Sequence, residues 1–186
     1  MVLTKRRRRS GQSLAEFALV LPVLVAILGG IIQFGLIFWA QNTLTQVVRD
    51  TGRWAATQQE QCAPTPTSAL VSALQTQAND IATNSSLLGY TSSEWGSPSV
   101  FTTDSGVQGA PNTEGIDVAW VNDSQPATPE PCPPTDNQAV WHVTVRINHS
   151  VPTFFPGMQY LPGLGSGGQI VLSSTAQFRM EPAPAE

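Results

Sequence analysis

The apolar positions of the chain follow two different periods, and the longest apolar stretch comes first. Residues 17–40 are almost all apolar, and no charged residue occurs from Phe17 to Val48. A helix needs about 20 apolar residues to cross roughly 30 Å of hydrocarbon. This pattern predicts a membrane-spanning helix near the start of the chain.

Helical spacing continues beyond the apolar run. Apolar residues recur at about every third or fourth position up to residue 55, and Gly52 weakens the pattern without ending it. We therefore expect one helix over about residues 14–58, roughly 65–70 Å long at 1.5 Å per residue. The apolar residues of its upper part are Leu44, Val47, Val48, Trp54 and Ala55.

A second helix is expected over residues 68–88. The prolines of the preceding APTPT sequence, residues 63–67, forbid a continuing helix and indicate a linker. Gly89 is placed as the C-terminal stop. The residues that recur at helical spacing are Leu70, Leu74, Ile81 and Leu88.

From residue 90 onward the apolar period changes to two, which is typical of half-buried antiparallel strands. Residues 123–136 and 151–168 are rich in proline or glycine and are expected to be loops. The fold class is therefore α+β, with a long N-terminal membrane-spanning helix that continues into a small domain of a second helix and an antiparallel β-sheet. The alternating runs are Ile116, Val118 and Trp120; Trp141, Val143, Val145 and Ile147; and Ile170, Leu172, Ala176 and Phe178.

Charge suggests how the first helix is oriented. Residues 5–9 are all basic, and basic residues beside a membrane span tend to stay in the cytoplasm. We expect the N-terminus inside and the chain after about Gln41 outside. A removed secretory signal is the alternative, but the apolar run exceeds the usual 7 to 15 residues or so, and no Ala-x-Ala site closes it promptly.

The rest of the chain is acidic. The formal net charge is −4, and without residues 5–9 only four basic residues remain against 13 acidic ones. Nucleic-acid binding needs a clustered basic surface, so we do not expect a nucleic-acid partner.

Glu16 is the unusual residue of the first helix. It stands at the edge of the apolar run, and a carboxylate at the centre of a membrane helix costs about 2.5 to 3.5 kcal/mol. Taken alone, Glu16 is explained by the helix dipole, which favours an anion in the first turn. The other explanation is a positively charged partner in the membrane.

The residues around Glu16 favour that second explanation. Glu16 stands five places after Gly11, an aromatic residue (Phe17) follows it, and the basic tract precedes the glycine. This arrangement resembles the class III signal peptides of type IV pilin-like proteins. With EFALVLPVLVAILGGIIQFG and the later VVRDTGRWAAT, residues 11–57 resemble the TadE-like family, minor pseudopilins of the Flp (tight adherence) pilus. Major Flp pilins are shorter and usually carry tyrosine where Phe17 stands, so a minor subunit fits better.

The resemblance implies a pilin-like fold, a processing site and a set of partners. A prepilin peptidase would cut between Gly11 and Gln12, and Glu16, followed by Phe17, would compensate the new N-terminal amine of a neighbouring subunit. Other pilin or pseudopilin subunits, the pilus assembly machinery and membrane lipid are the further partners. The protein would be a single-pass protein of the inner or cytoplasmic membrane. Its expected parts are a cytoplasmic leader (1–11), a transmembrane and stem helix (12–58) and an extracytoplasmic domain (59–186).

Cys62 and Cys132 are the only cysteines. In an extracytoplasmic domain they are expected to form one disulfide, which would close a loop of about 70 residues. His142 and His149 do not stand at zinc-binding spacings, so we expect no metal or other cofactor and place both histidines at the surface of a strand.

No catalytic motif is found, and an enzyme is not expected. The sequence has no Gly-x-Ser-x-Gly elbow, phosphate-binding glycine loop or His-Glu-x-x-His helix. Asp117, Asp123 and Asp136 are expected to be solvated. Gln33, inside the apolar run, could form a hydrogen bond with a neighbouring membrane helix.

Two functions from different classes remain open. The first is a structural subunit, processed after Gly11, which acts through helix–helix contacts in or at the base of a pilus. The second is an unprocessed single-pass membrane protein whose outer domain binds another envelope or extracellular partner. Only the first needs Gly11 and Glu16.

Overall fold

The computed structural model confirms the α+β class. It describes residues 12–58, 67–92, 94–122, 141–154 and 169–180. The expected leader, most of the linker and the expected loop at residues 123–136 lie outside these residues. In chain order the elements are α1 (Gln12–Ala56), α2 (Ser68–Asn84), β1 (Ser99–Phe101), α3 (Asp104–Gly109), β2 (Gly115–Asn122), β3 (Trp141–Pro152) and β4 (Gln169–Arg179).

Helix α1 is one continuous element of 45 residues, as the apolar spacing predicts. Pro22 lies inside it. At 1.5 Å per residue, α1 is roughly 67 Å long. The elements from α2 to β4, here called the head, pack against the C-terminal half of this helix.

Helix α2 begins where the sequence predicts and ends earlier. The Thr67 side chain caps it by accepting a hydrogen bond from the backbone N–H of Leu70 at 3.4 Å. The helix ends at Asn84, four residues before the predicted end, and Ser86 has a left-handed φ of 51° that interrupts it. The placement of Gly89 as the helix stop is therefore wrong. Gly89 serves a later turn, where its φ is +80° and a Cβ would lie 2.7 Å from the Pro152 ring.

The four strands form one sheet in the order β1-β2-β3-β4. The three predicted strands pair antiparallel, with Val145 opposite both Val118 on β2 and Ala176 on β4. The sheet is nevertheless mixed, because β1 pairs with β2 in parallel. Neither β1 nor α3 was predicted, since three strand residues and six helical ones are too few for a periodic signal. The start of the loop expected over 151–168 is also wrong, because β3 extends to Pro152.

The main core lies between one face of the sheet and the two longer helices. Leu44 and Val48 of α1 and Leu74 of α2 pack there with Trp120 and Val145 of the sheet. Helix α3 lies against the other face, where it contacts side chains of β3 such as His142 and Thr144. β3 is therefore buried on both faces.

Burial on both faces of the sheet corrects three expectations. His142 and His149 are 5% and 0% exposed, and neither is a surface residue. Asp117 of β2 is also buried, at 8% exposure. Alternation predicts that polar strand residues face water, but His142 and Asp117 lie on the face of the sheet that α3 covers. His149 lies on the main-core face, beside Tyr90 and Trp95. Asp123 and Asp136 lie outside the described residues.

Candidate functional site: the two segments of the first helix

The N-terminal part of α1, residues 13–32, is here called the lower segment, and its apolar side chains face outward. Every side chain from residue 13 to residue 28 is exposed, including Leu19 at 75%, and so is Ile32 at 64%. The segment is about 30 Å long at 1.5 Å per residue, which matches the hydrocarbon thickness of a bilayer. The head leaves this surface uncovered.

One helix among the described residues, Ser13–Ala56, is long and apolar enough to span a membrane. Only 6% of its most apolar window is buried, whereas the core helix of a soluble protein would be mostly buried. The N-terminal helix could therefore act as a membrane anchor.

The rest of α1, residues 33–56, is here called the upper segment, and it buries one face against α2, β3 and β4. The Gln41 side-chain amide donates to the Ser173 carbonyl of β4 at 3.1 Å. Exposed residues such as Arg49 and Arg53 occupy the opposite face. The buried positions recur at helical spacing: Gln33, Ala40, Thr43, Leu44, Val47, Val48, Thr51, Ala55 and Ala56.

The glycines of α1 differ in what surrounds them. A Cβ at Gly52 would lie 2.6 Å from Cδ2 of Phe178, so Gly52 allows the helix to approach β4 closely. A Cβ at Gly30 or Gly35 would meet no described atom within 4 Å outside the local helix backbone. Small surfaces of this kind permit close helix–helix contact in a membrane. Gly52 therefore serves the packing of α1 on β4 of the same chain. Gly30 and Gly35 leave space in which another helix could pack.

Gln33 marks the boundary between the two segments. It is 1% exposed, and its side-chain oxygen accepts a hydrogen bond from the backbone N–H of Phe154 at 2.8 Å. The structure therefore gives the Gln33 oxygen a partner in its own head, where the sequence suggested a neighbouring helix. Its Nε2 has no partner among the described residues.

Glu16 and Phe17 both lie on the exposed surface of the lower segment, and Phe17 is 63% exposed. Glu16 falls just after the first helical turn, which contains no acidic residue. Because the effect of the helix dipole fades within the first turn, the dipole accounts less well for this carboxylate. Gly11 and the Gln12 side chain lie outside the described residues, so the cleavage site stays a prediction.

The first helix also carries the similarity to known proteins. Residues 11–53 match the family model of TadE-like proteins. The N-terminal helix is TadE-like. The match confirms the resemblance of this helix to TadE-like proteins. No curated protein and no solved structure matches the chain.

The TadE-like match contains nearly all of α1 and none of the head, so the head has to be understood from its own contacts. Cys62 and Cys132 lie outside the described residues, and their disulfide stays a prediction. What the sequence did not reveal in the head is a polar network on the face of the sheet that α3 covers.

Arg146 is the centre of this network and is 5% exposed. Its Nη1 donates to the carbonyl oxygens of Val107, Gln108 and Ala110 at 2.9 to 3.1 Å. Its Nη2 donates to the Asn112 side chain. One guanidinium therefore satisfies the carbonyl groups at the C-terminal end of α3, which fixes this helix to the sheet.

The N-terminal end of α3 is fixed by a second set of contacts. One Asp104 oxygen lies 2.8 Å from Nε2 of His142, and the other accepts the hydroxyl hydrogen of Thr144 at 2.6 Å. Both partners stand on β3, 38 and 40 residues along the chain. No local sequence pattern could have joined them to Asp104.

Asp117 lies on the same face of the sheet. Burial raises the pKa of its carboxyl group above the ordinary 3.8, although the Arg146 charge and a hydrogen bond from the Asn148 amide, at 3.3 Å, both lower it. Desolvation is the largest of the three effects. An ionised Asp117 is therefore a source of strain in an otherwise well-satisfied layer. These contacts describe a layer that supports the fold.

Proposed function

We propose that this protein is a minor pseudopilin that contributes to assembly of a Flp-type (tight adherence) pilus. The observation that carries the proposal is the contrast within the TadE-like helix, whose upper segment packs on the head while its lower segment exposes a continuous apolar surface. An exposed apolar surface of this size needs lipid or other helices around it. Its role is structural and requires no catalysis.

Processing comes first in the proposed sequence of events. The basic leader holds the N-terminus in the cytoplasm, and a prepilin peptidase cuts after Gly11, so that Gln12 becomes the first residue. The cut creates an α-ammonium at the end of the lower segment. The head remains on the opposite side of the membrane.

The exposed carboxylate of Glu16 then pairs with the N-terminal amine of a neighbouring pilin or pseudopilin subunit. Opposite charges stabilise each other in a poorly solvated place, and a single unpaired charge there is costly. Such a pair would set the axial register between the two helices. Gly30 and Gly35 would allow the neighbouring helix to approach closely.

The first test is the mass and N-terminal residue of the protein recovered from its native membrane. We expect a chain that begins at Gln12. A chain that keeps residues 1–11 would contradict processing and favour an unprocessed membrane protein that binds another envelope partner. A chain that begins beyond Ala55 would mean that α1 is a removed signal sequence.

The second test replaces the carboxylate. Glu16→Ala should still enter the membrane, because it makes the helix more apolar, but its recovery with pilus subunits should fall at least tenfold. Asp80→Ala is the matched control, since it removes an exposed carboxylate from α2. Both variants are compared with the wild type in membrane and sheared-pilus fractions. Normal recovery of Glu16→Ala would refute the charge pairing.

A further inference from the structure

Three side chains with metal-binding atoms meet near one end of the sheet. Glu94 lies between α2 and β1, Glu114 precedes β2, and His149 lies in β3. One carboxylate oxygen from each glutamate and one ring nitrogen of the histidine all lie within 4.8 Å of one another. The three residues come from distant parts of the chain, so no sequence spacing could show them.

The hydrogen bonds of His149 decide which nitrogen faces this cluster. The ring is 0% exposed, and its Nε2 lies 2.9 Å from the backbone carbonyl of Leu88. A carbonyl oxygen only accepts, so Nε2 must carry the hydrogen. In a neutral ring Nδ1 then presents a lone pair. A histidine that binds a metal is commonly oriented in this way, through its second nitrogen and a backbone carbonyl.

The lone pair of Nδ1 meets another acceptor. Nδ1 lies 3.1 Å from a carboxylate oxygen of Glu114. Two acceptors at this distance repel each other unless a proton or a metal ion stands between them. Two ligand atoms on a tetrahedral zinc ion are separated by roughly 3.3 Å, close to the separation observed here.

The charge of the cluster favours a divalent ion over a proton. One proton on Nδ1 would neutralise one carboxylate, but Glu94 supplies a second. In the part of the chain that the structure describes, no arginine forms an ion pair with either glutamate. Glu94 is exposed, so its side chain can move to complete a site, and Trp95 and Tyr90 pack beside the His149 ring to hold it.

We propose that Glu94, Glu114 and His149 bind one divalent transition-metal ion, with Zn²⁺ the best fit to one imidazole and two carboxylates. The remaining coordination position is open to water. The ion ties the chain that follows α2, and the residue before β2, to the buried end of β3. This proposal differs from the expectation of no metal and does not depend on a role in a pilus.

The test uses the full-length protein in detergent, stripped of metal and titrated with zinc chloride after its thiols have been blocked. We expect one zinc per chain by calorimetry and a higher thermal unfolding midpoint when zinc is bound. X-ray absorption at the zinc edge should show only nitrogen and oxygen neighbours, one of them an imidazole.

Glu94→Gln separates this site from other zinc binding, because the residue is exposed and its replacement should leave the fold intact. We expect its zinc affinity to fall at least tenfold, while Asp80→Asn, an exposed carboxylate on α2, keeps the wild-type affinity. Absence of zinc binding would overturn the proposal. Equal affinity in Glu94→Gln and the wild type, or sulfur neighbours, would overturn it as well.

Discussion

The two segments of α1 belong to one helix but differ in where their apolar side chains find partners. The upper segment buries Leu44, Val47 and Val48 completely against α2 and the sheet of the same chain. The lower segment leaves Leu19, Leu24 and their neighbours exposed. One helix can therefore be a core element along half its length and an interface along the other half.

The difference lies in how the apolar residues are arranged. From residue 40 onward they occupy one stripe, and polar residues such as Gln46, Arg49 and Asp50 face solvent. In the lower segment apolar residues surround the helix on all sides. A helix that is apolar all round requires an apolar environment, whereas one with a stripe requires one packed neighbour.

Truncation of a leucine in each segment should give the largest difference in the free energy of unfolding of the head. Leu44→Ala should lower the free energy of unfolding of the head by about 2–5 kcal/mol, because it opens a cavity in the core. Leu24→Ala, 48% exposed, should leave that free energy unchanged within about 0.5 kcal/mol. Urea unfolding of the full chain in detergent, followed by near-ultraviolet circular dichroism, measures both. Equal losses would show that the lower segment also packs on the head.

Adding a methyl group to each segment should give a smaller difference in the free energy of unfolding of the head. In the upper segment the sign should be opposite to that usual for glycine to alanine in a helix. Replacing glycine by alanine inside a helix normally stabilises it by about 0.5–1 kcal/mol. Gly52→Ala should instead destabilise the head by about 1–3 kcal/mol, because its Cβ collides with the Phe178 ring. Gly30→Ala is the matched control and should not destabilise the head. A stabilised Gly52→Ala protein, in the same unfolding assay, would mean that Phe178 moves aside freely.

The smallest expected effect depends on pH and should appear only in the head. Since burial raises the pKa of Asp117 in the folded state, the folded protein holds this proton more tightly than the unfolded chain. The resulting stabilisation is fully present below about pH 4 and is lost as pH rises through the folded pKa. Between about pH 4 and pH 7 the wild type should therefore lose stability relative to Asp117→Asn.

The Asp117 effect is measured as the difference between the two unfolding free energies across this pH range. Asp80→Asn, on the exposed face of α2, should show no such trend. A wild type that gains stability relative to Asp117→Asn as pH rises would mean that Arg146 and Asn148 outweigh burial. Membrane insertion of the lower segment should be unaffected by either substitution.

Elements long enough to repeat their apolar period several times could be predicted, because periodicity is a local property of the sequence. The whole of α1, the start of α2 and the three longer strands follow directly from apolar spacing. The end of α2 could not be predicted in this way, since the left-handed Ser86 breaks a helix that the apolar spacing extends to Leu88. β1 and α3 are too short to carry a pattern.

The candidate sites show the same limit, because local sequence patterns do not reveal contacts between distant residues. Glu16 and Phe17 lie on an exposed surface of α1, and the roles that the resemblance implies for them stay predictions. The partners of Gln33, Arg146 and His149 could not be predicted, because each contacts a group at least 34 residues away. Alternation of polar residues along β3 suggested water on that face, whereas the chain itself covers it.

Pro22 affects how the long first helix can bend. A proline has no N–H to donate, so the carbonyl of Ala18 loses its usual partner and α1 can bend there more easily than elsewhere. Ala56 lies about 51 Å further along the helix at 1.5 Å per residue, so a bend of about 10° would swing it sideways by about 9 Å. If the residues before Pro22 are held in place, the head can thus sweep across a wide arc while the contacts between the upper segment and the head stay intact.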